Sequence, residues 1–177
     1  MLSAIHVLEI MSYINRLKSN DLQECLECLK DISDKKIHVD ANLVTAVGMM
    51  LKNASNLRSI PMNLAENVLF AVGKTMENDE EAGVIKFSES ALFIDSIVQI
   101  IADFGVRIKN SLKTHRPFGS HYCYELCVYI VVAMVETSSL LKIFLKTISS
   151  DNLSRLFEAL CAVLVRDFLY VTQVNHP

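Results

Sequence analysis

His-Tyr-Cys-Tyr-Glu-Leu-Cys-Val-Tyr-Ile-Val-Val-Ala-Met-Val-Glu, residues 121–136, runs on through Thr-Ser-Ser-Leu-Leu-Lys-Ile-Phe-Leu-Lys-Thr-Ile to 148. Its reading decides the fold. Between Leu126 and Val135 the one polar side-chain group is the Tyr129 hydroxyl. A segment apolar on every side belongs inside a core, so this stretch is expected to be a helix clothed by its neighbours. A bend is expected at Thr137-Ser138-Ser139, where hydroxyls compete for backbone carbonyls.

Composition agrees with a helical core. The chain has 177 residues, 51% hydrophobic and 21% charged, with mean hydropathy +0.32. That is enough chain for one real core and too apolar for disorder. Three Pro and five Gly leave few breakers, which favours long helices over many short strands. The expected fold is all-α, about seven helices in a single domain, 1–177. Two architectures fit: a helical-repeat-like stack of HEAT/armadillo type, or a compact bundle around a buried helix at about 121–148. Exposed loops are expected at about 33–39, 53–61, 77–87 and 114–120.

Periodicity places the remaining helices. Val7, Ile10, Ile14 and Leu17 recur at helical steps, as do Leu22, Leu26 and Leu29, then Leu43, Val47 and Met50. Leu64, Val68, Val72 and Met76 mark a fourth helix. Phe93, Ile97, Ile100, Phe104 and Ile108 mark a long fifth one opened by Ser88. Leu153, Leu156, Leu160, Leu164 and Phe168 mark the last, capped from Ser149-Ser150-Asp151. Ala46-Val47-Gly48, ending at Asn53, returns as Ala71-Val72-Gly73, ending at Asn78; Gly105 to Asn110 repeats the spacing. A mid-helix Gly costs about 1 kcal/mol relative to Ala. Its recurrence therefore suggests close helix–helix approach in similar hairpins.

Charge narrows the function classes. A net charge of −3 and a pI near 5.9 provide no basic field for a phosphate backbone, which counts against nucleic acid. Glu125 and Glu136 frame the most apolar run and Lys142 and Lys146 follow it, so no membrane span is expected. No basic n-region opens the chain, and five Cys then read as reduced thiols in a cytoplasmic or nuclear protein.

Several groupings bear on chemistry. Cys25 and Cys28 form a C-x-x-C pair, and His121, Cys123 and Cys127 a second group; together they are the candidate soft ligands for zinc. Both groups sit in apolar helices, where Cys serves as a small hydrophobe, so no metal or other cofactor is assigned. A nucleophile from Cys123 or Cys127 with His115 or His121 needs an electropositive, open setting that this stretch lacks. An enzyme site around Glu125, His121 and Cys123 has no local motif behind it, and the chain is read as non-enzymatic. Tyr122, Tyr124 and Tyr129 read as core aromatics. Arg116 and Phe118, in the Pro/Gly loop, and Glu80 and Glu81, in the acidic run, are the candidate partner contacts.

The expected function is therefore protein–protein interaction: a module or adaptor that holds a partner helix or peptide on a groove or face. The apolar composition adds a possible homo-oligomer or obligate partner that covers exposed surface. Amphipathic helices around a greasy hairpin at 88–148 also resemble the Bcl-2-like family, including its viral members. Phe104-Gly105-Val106-Arg107 is the stretch nearest that family's Asn-Trp-Gly-Arg signature, without the Trp, and Ile101-Ala102-Asp103 echoes its helical motif. That resemblance implies a bundle regulating apoptosis or host signalling by binding amphipathic helices.

Overall fold

The computed structural model describes residues 4–53, 62–114 and 122–174. These form nine helices and no strand: α1 (Ala4–Leu17), α2 (Leu22–Asp34), α3 (Ala41–Asn53), α4 (Met62–Glu77), α5 (Glu80–Ser88), α6 (Ala91–Thr114), α7 (Tyr122–Val135), α8 (Ser138–Thr147) and α9 (Ser150–Val174). One continuous core joins them into a single all-α domain.

The helices lie in two rows. α1, α3, α6 and α9 pack in succession as one row, and α2, α4 and α7 as the other; α1 closes on α2, and α6 on α7, across them. Short α5 sits among α3, α4, α6, α7 and α8, and α8 packs on α5 and α7. A row of successive neighbours is the organisation of stacked helical pairs.

Two differences from the expected seven helices have plain causes. The 121–148 stretch is two helices bent by 111°. Thr137 makes the break, leaving the helical region and accepting a hydrogen bond from the Leu140 N–H at 3.2 Å as the cap of α8. The second difference is the loop expected at 77–87, which is mostly α5. Acidic Glu80 and Glu81 stand in its first turn, where carboxylates suit a helix N-terminus. Ser88 does not open α6; it closes α5, buried, with its hydroxyl donating to the Val84 carbonyl at 2.8 Å. The cap of α6 is Ser90, which accepts from the Phe93 N–H at 3.3 Å.

The polar residues before α5 are intramolecular tools. Asp79 accepts from the Val39 N–H at 2.7 Å and from His38 Nδ1 at 2.9 Å. Asn78 donates to the Ile32 carbonyl at 3.0 Å, and Lys86 to the Val39 carbonyl. These bonds hold the α2–α3 connection against the turn, burying Ile37 and Val39. The loop expected at 33–39 is thus helical to Asp34 and only partly exposed. Lys36 adopts φ 49° as the Ile37 N–H reaches back to the Ile32 carbonyl at 3.0 Å, a left-handed helix cap. The loops expected at 53–61 and 114–120 fall, beyond Asn53 and Thr114, outside the described residues.

Inward stripes follow the sequence pattern on α2, α3, α4 and α6. They fail at Val7 and Leu164, both exposed, because α1 and α9 end a row and are covered from one side. The recurring Gly divides by row. An added Cβ on Gly48 would lie 3.2 Å from Leu92 Cγ and Phe93 N of α6. One on Gly105 would lie 2.7 Å from Ala159 Cβ of α9. Both glycines therefore sit at close crossings along the first row. Ser96 ties the α3–α6 crossing further, its hydroxyl 2.8 Å from the Leu92 carbonyl and 3.1 Å from that of Gly48. Gly73, on α4, has only Ile130 Cγ1 at 4.0 Å.

Candidate functional site: the α4–α7 groove

The space beside Gly73 belongs to a groove of about 180 Å³ between α4 and α7. Leu69, Gly73, Leu126 and Ile130 line it along with Phe70, Lys74, Glu77, Tyr122 and Tyr129. Its volume is below the roughly 300–1,000 Å³ of small-molecule pockets and suits one large side chain. Phe70 is 51% exposed and Tyr129 54%, and Tyr122 and Val132 are about as open.

The α7 sequence dictates this exposure. Glu125 and Glu136 are eleven residues apart, about three turns of helix, so they share a face. Tyr122, Tyr129 and Val132 fall on that same arc, and all five are exposed. The opposite arc, with Cys123, Tyr124, Cys127, Ile130, Val131 and Met134, is buried. The stretch expected to be enclosed on every side therefore shows one strip to solvent. Tyr124 alone of the three tyrosines is a core aromatic, edge-on to Phe104 with ring centroids 6.5 Å apart. The carboxylates carried the missed signal: two glutamates at that spacing mark a solvent face, and they drag two tyrosines onto it.

A polar lattice braces the groove. The Tyr129 hydroxyl donates to Glu77 Oε1 at 2.6 Å, and Lys74 Nζ donates to Glu77 Oε2 at 3.0 Å. Lys74 also sits 5.8 Å above the Phe70 ring centroid. Burial alone would raise the Glu77 pKa, but the hydrogen bonds from Tyr129 and Lys74 outweigh it and hold the carboxyl below its usual range. The same bond to Glu77 raises the Tyr129 hydroxyl, with the field of Glu136 adding to it.

The structure separates the sulfur groups. Cys25 and Cys28 face α1: Cys25 Sγ is 3.5 Å from the Ser19 carbonyl and Cys28 Sγ 3.5 Å from that of Tyr13. Cys123 and Cys127 lie on α7, and α4 packs against both α2 and α7. Among the described residues no three His, Cys, Asp or Glu side chains gather as metal donors. Burial pushes the Cys28 thiol up to about 12, Cys123 to about 11, and Cys127 higher still. These thiols stay protonated near neutral pH, unlike an activated nucleophile. Cys123 is buried and Glu125 exposed, so α7 turns them to opposite sides.

The other site expectations are placed as follows. His121, Arg116 and Phe118 lie outside the described residues. Glu80 and Glu81 are exposed on α5 and do not line the groove. A second, wider groove of about 450 Å³ runs between α1 and α3, lined by Val7, Met11, Ile14, Ala46 and Met49 among others. It lacks aromatic walls. No single helix among the described residues is long and apolar enough to cross a membrane; only the bent α7–α8 pair reaches that length and composition together. No known protein family, curated protein or solved structure matches the chain.

Proposed function

We propose that this protein is a non-enzymatic interaction module that takes a partner helix or peptide along the seam between α4 and α7. The observation that carries the reading is the set of half-open aromatic rings, Phe70, Tyr122 and Tyr129, around the unfilled space at Gly73. Aromatic anchors beside a vacant apolar pocket are the usual centre of a helix-in-groove contact. One large apolar side chain of the partner fills the pocket, and flanking residues of its apolar face cover Phe70 and Val132. The bond from Tyr129 to Glu77 ties the two helices across the rim, so little order is lost on binding.

The test is titration of the full chain with labelled amphipathic helical peptides, read by fluorescence anisotropy. Micromolar binding is expected, with loss of about tenfold or more on Phe70→Ala. Gly73→Leu, which fills the pocket with the protein's own side chain, should abolish binding while leaving the helical circular dichroism intact. Binding that ignores both substitutions would place the contact elsewhere.

A further inference from the structure

We propose that the occupant of the α4–α7 groove is a basic amphipathic helix, one that sets an apolar residue over Gly73 and a lysine or arginine against the carboxylates around Tyr129. The inference rests on the reading of this groove as a partner site and adds the partner's charge.

Charge complementarity selects that occupant. The exposed strip of α7 carries Glu125 and no cation, and exposed Glu136 follows directly after the helix, close enough for its field to reach Tyr129; both stand beside the groove and do not line it. α4 adds Glu77 at the rim, beside Tyr129. Among the described residues lining the groove, Lys74 is the one cation and Glu77 the one anion, so the excess negative charge comes from Glu125 and Glu136 beside it. Lys142 and Lys146 of α8 lie beyond the 111° bend and do not line it. A helix with acidic flanks would lay like charges along this strip, which costs affinity and slows encounter.

Lys74 shows what the rim accepts. Its ammonium rests 3.0 Å from Glu77 Oε2 and 5.8 Å from the Phe70 centroid, between a carboxylate and an aromatic face. That combination favours a cation doubly, through ion pairing and through the ring quadrupole. Lys74 is half-exposed and belongs to a surface pair, which is weakly held. An incoming lysine or arginine meets the same two groups and competes with Lys74 for them.

Two labelled peptides of about 18 residues test this, long enough to present one helical face. Both carry the same Leu/Ile face; one has Lys/Arg flanks and the other Glu flanks. Anisotropy titrations of the full chain at about 50 mM and about 500 mM NaCl give the affinities, since exposed ion pairs are screened over this range. The basic peptide should bind about tenfold tighter at low salt, with the gap closing at high salt. Replacing Glu77, Glu125 and Glu136 together by Gln should erase the preference. Lys74→Gln should tighten the basic peptide severalfold by removing its internal competitor. Glu125, Glu136 and Lys74 are exposed and Glu77 is half-buried at the rim, and circular dichroism checks that the variants fold. An acidic peptide that binds as tightly, or a preference that survives the triple replacement, overturns the charge inference and leaves the groove reading standing. If neither peptide binds, the groove reading falls and the charge inference falls with it.

Discussion

Gly105 and Gly73 occupy matching places in the sequence echo and opposite physical situations. Gly105 lets α6 and α9 approach until Ala159 fills the space a side chain would need. Around that contact Asn152 bonds to Asp95 and Lys109 pairs with Glu158, and the hollow left beside Gly105 is the smaller one, about 130 Å³. Gly73 leaves α4 and α7 with a hollow, its rim held by Tyr129, Glu77 and Lys74. The place of the missing Cβ is thus taken by Ala159 at Gly105 and left open at Gly73. Where the neighbouring backbone moves in, the glycine is structural; where it does not, the same residue leaves a place for something else.

Thiol chemistry gives the widest split between the two seams. Cys161, exposed on α9, should react with a disulfide reagent first and alone. Cys123, buried on α7 and raised to about 11 by that burial, should lag far behind, being both shielded and protonated. Fast labelling of Cys123 or Cys127 in native protein would show that the α7 inner face is open.

Alanine at each glycine comes next. Gly105→Ala forces Ala159 back and should lower stability by about 2 kcal/mol in urea unfolding, overpacking outweighing the helix-propensity gain. Gly73→Ala meets no atom nearer than ordinary contact and should raise stability by up to about 1 kcal/mol. Equal signs for the two would remove the distinction between a filled and an open Cβ position.

The smallest effect belongs to the rim. Tyr129→Phe should cost about 0.5 kcal/mol at neutral pH, since the bond it removes is solvent-facing. Its pH dependence is the sharper reading. Glu77 has a lowered pKa in the fold, so its contribution is present above the unfolded carboxyl value and fades as pH falls through the folded value. Tyr129 has a raised one, so its contribution is present below the unfolded phenol value and fades as pH rises through the folded value. The difference in stability between wild type and Tyr129→Phe should therefore peak at intermediate pH. A difference that does not change between acid and mildly alkaline pH would mean that the bond to Glu77 does not form in solution.

Much of the fold was legible before any coordinates. The three- and four-residue spacing on α2, α3, α4 and α6 fixes which side chains turn inward, because a helix repeats about every 3.6 residues whatever it packs against. The cap read at Ser149 accepts the Asn152 N–H, and Asp21 and Asp40 accept a backbone N–H at their helix starts in the same way. Less was legible where a local pattern has two outcomes. The acidic run at 77–81 looks like any solvated loop, and only the approach of residues 32–39 turns Asn78 and Asp79 into a clamp. Leu164 fits its stripe and is exposed, because among the described residues α9 packs mainly against α6, along one face.

The candidate site lay in the part that a single stretch cannot decide. The 121–136 sequence determined an apolar helix and, through the spacing of Glu125 and Glu136, which arc of it meets water. It could not determine that Phe70 and Gly73, some fifty residues earlier, would meet the edge of that arc, nor that Glu77 would reach Tyr129. Periodicity is a property of one helix and is written in its own residues. A groove is a property of two helices and the gap between them, and that gap is set by how every other helix in the two rows packs.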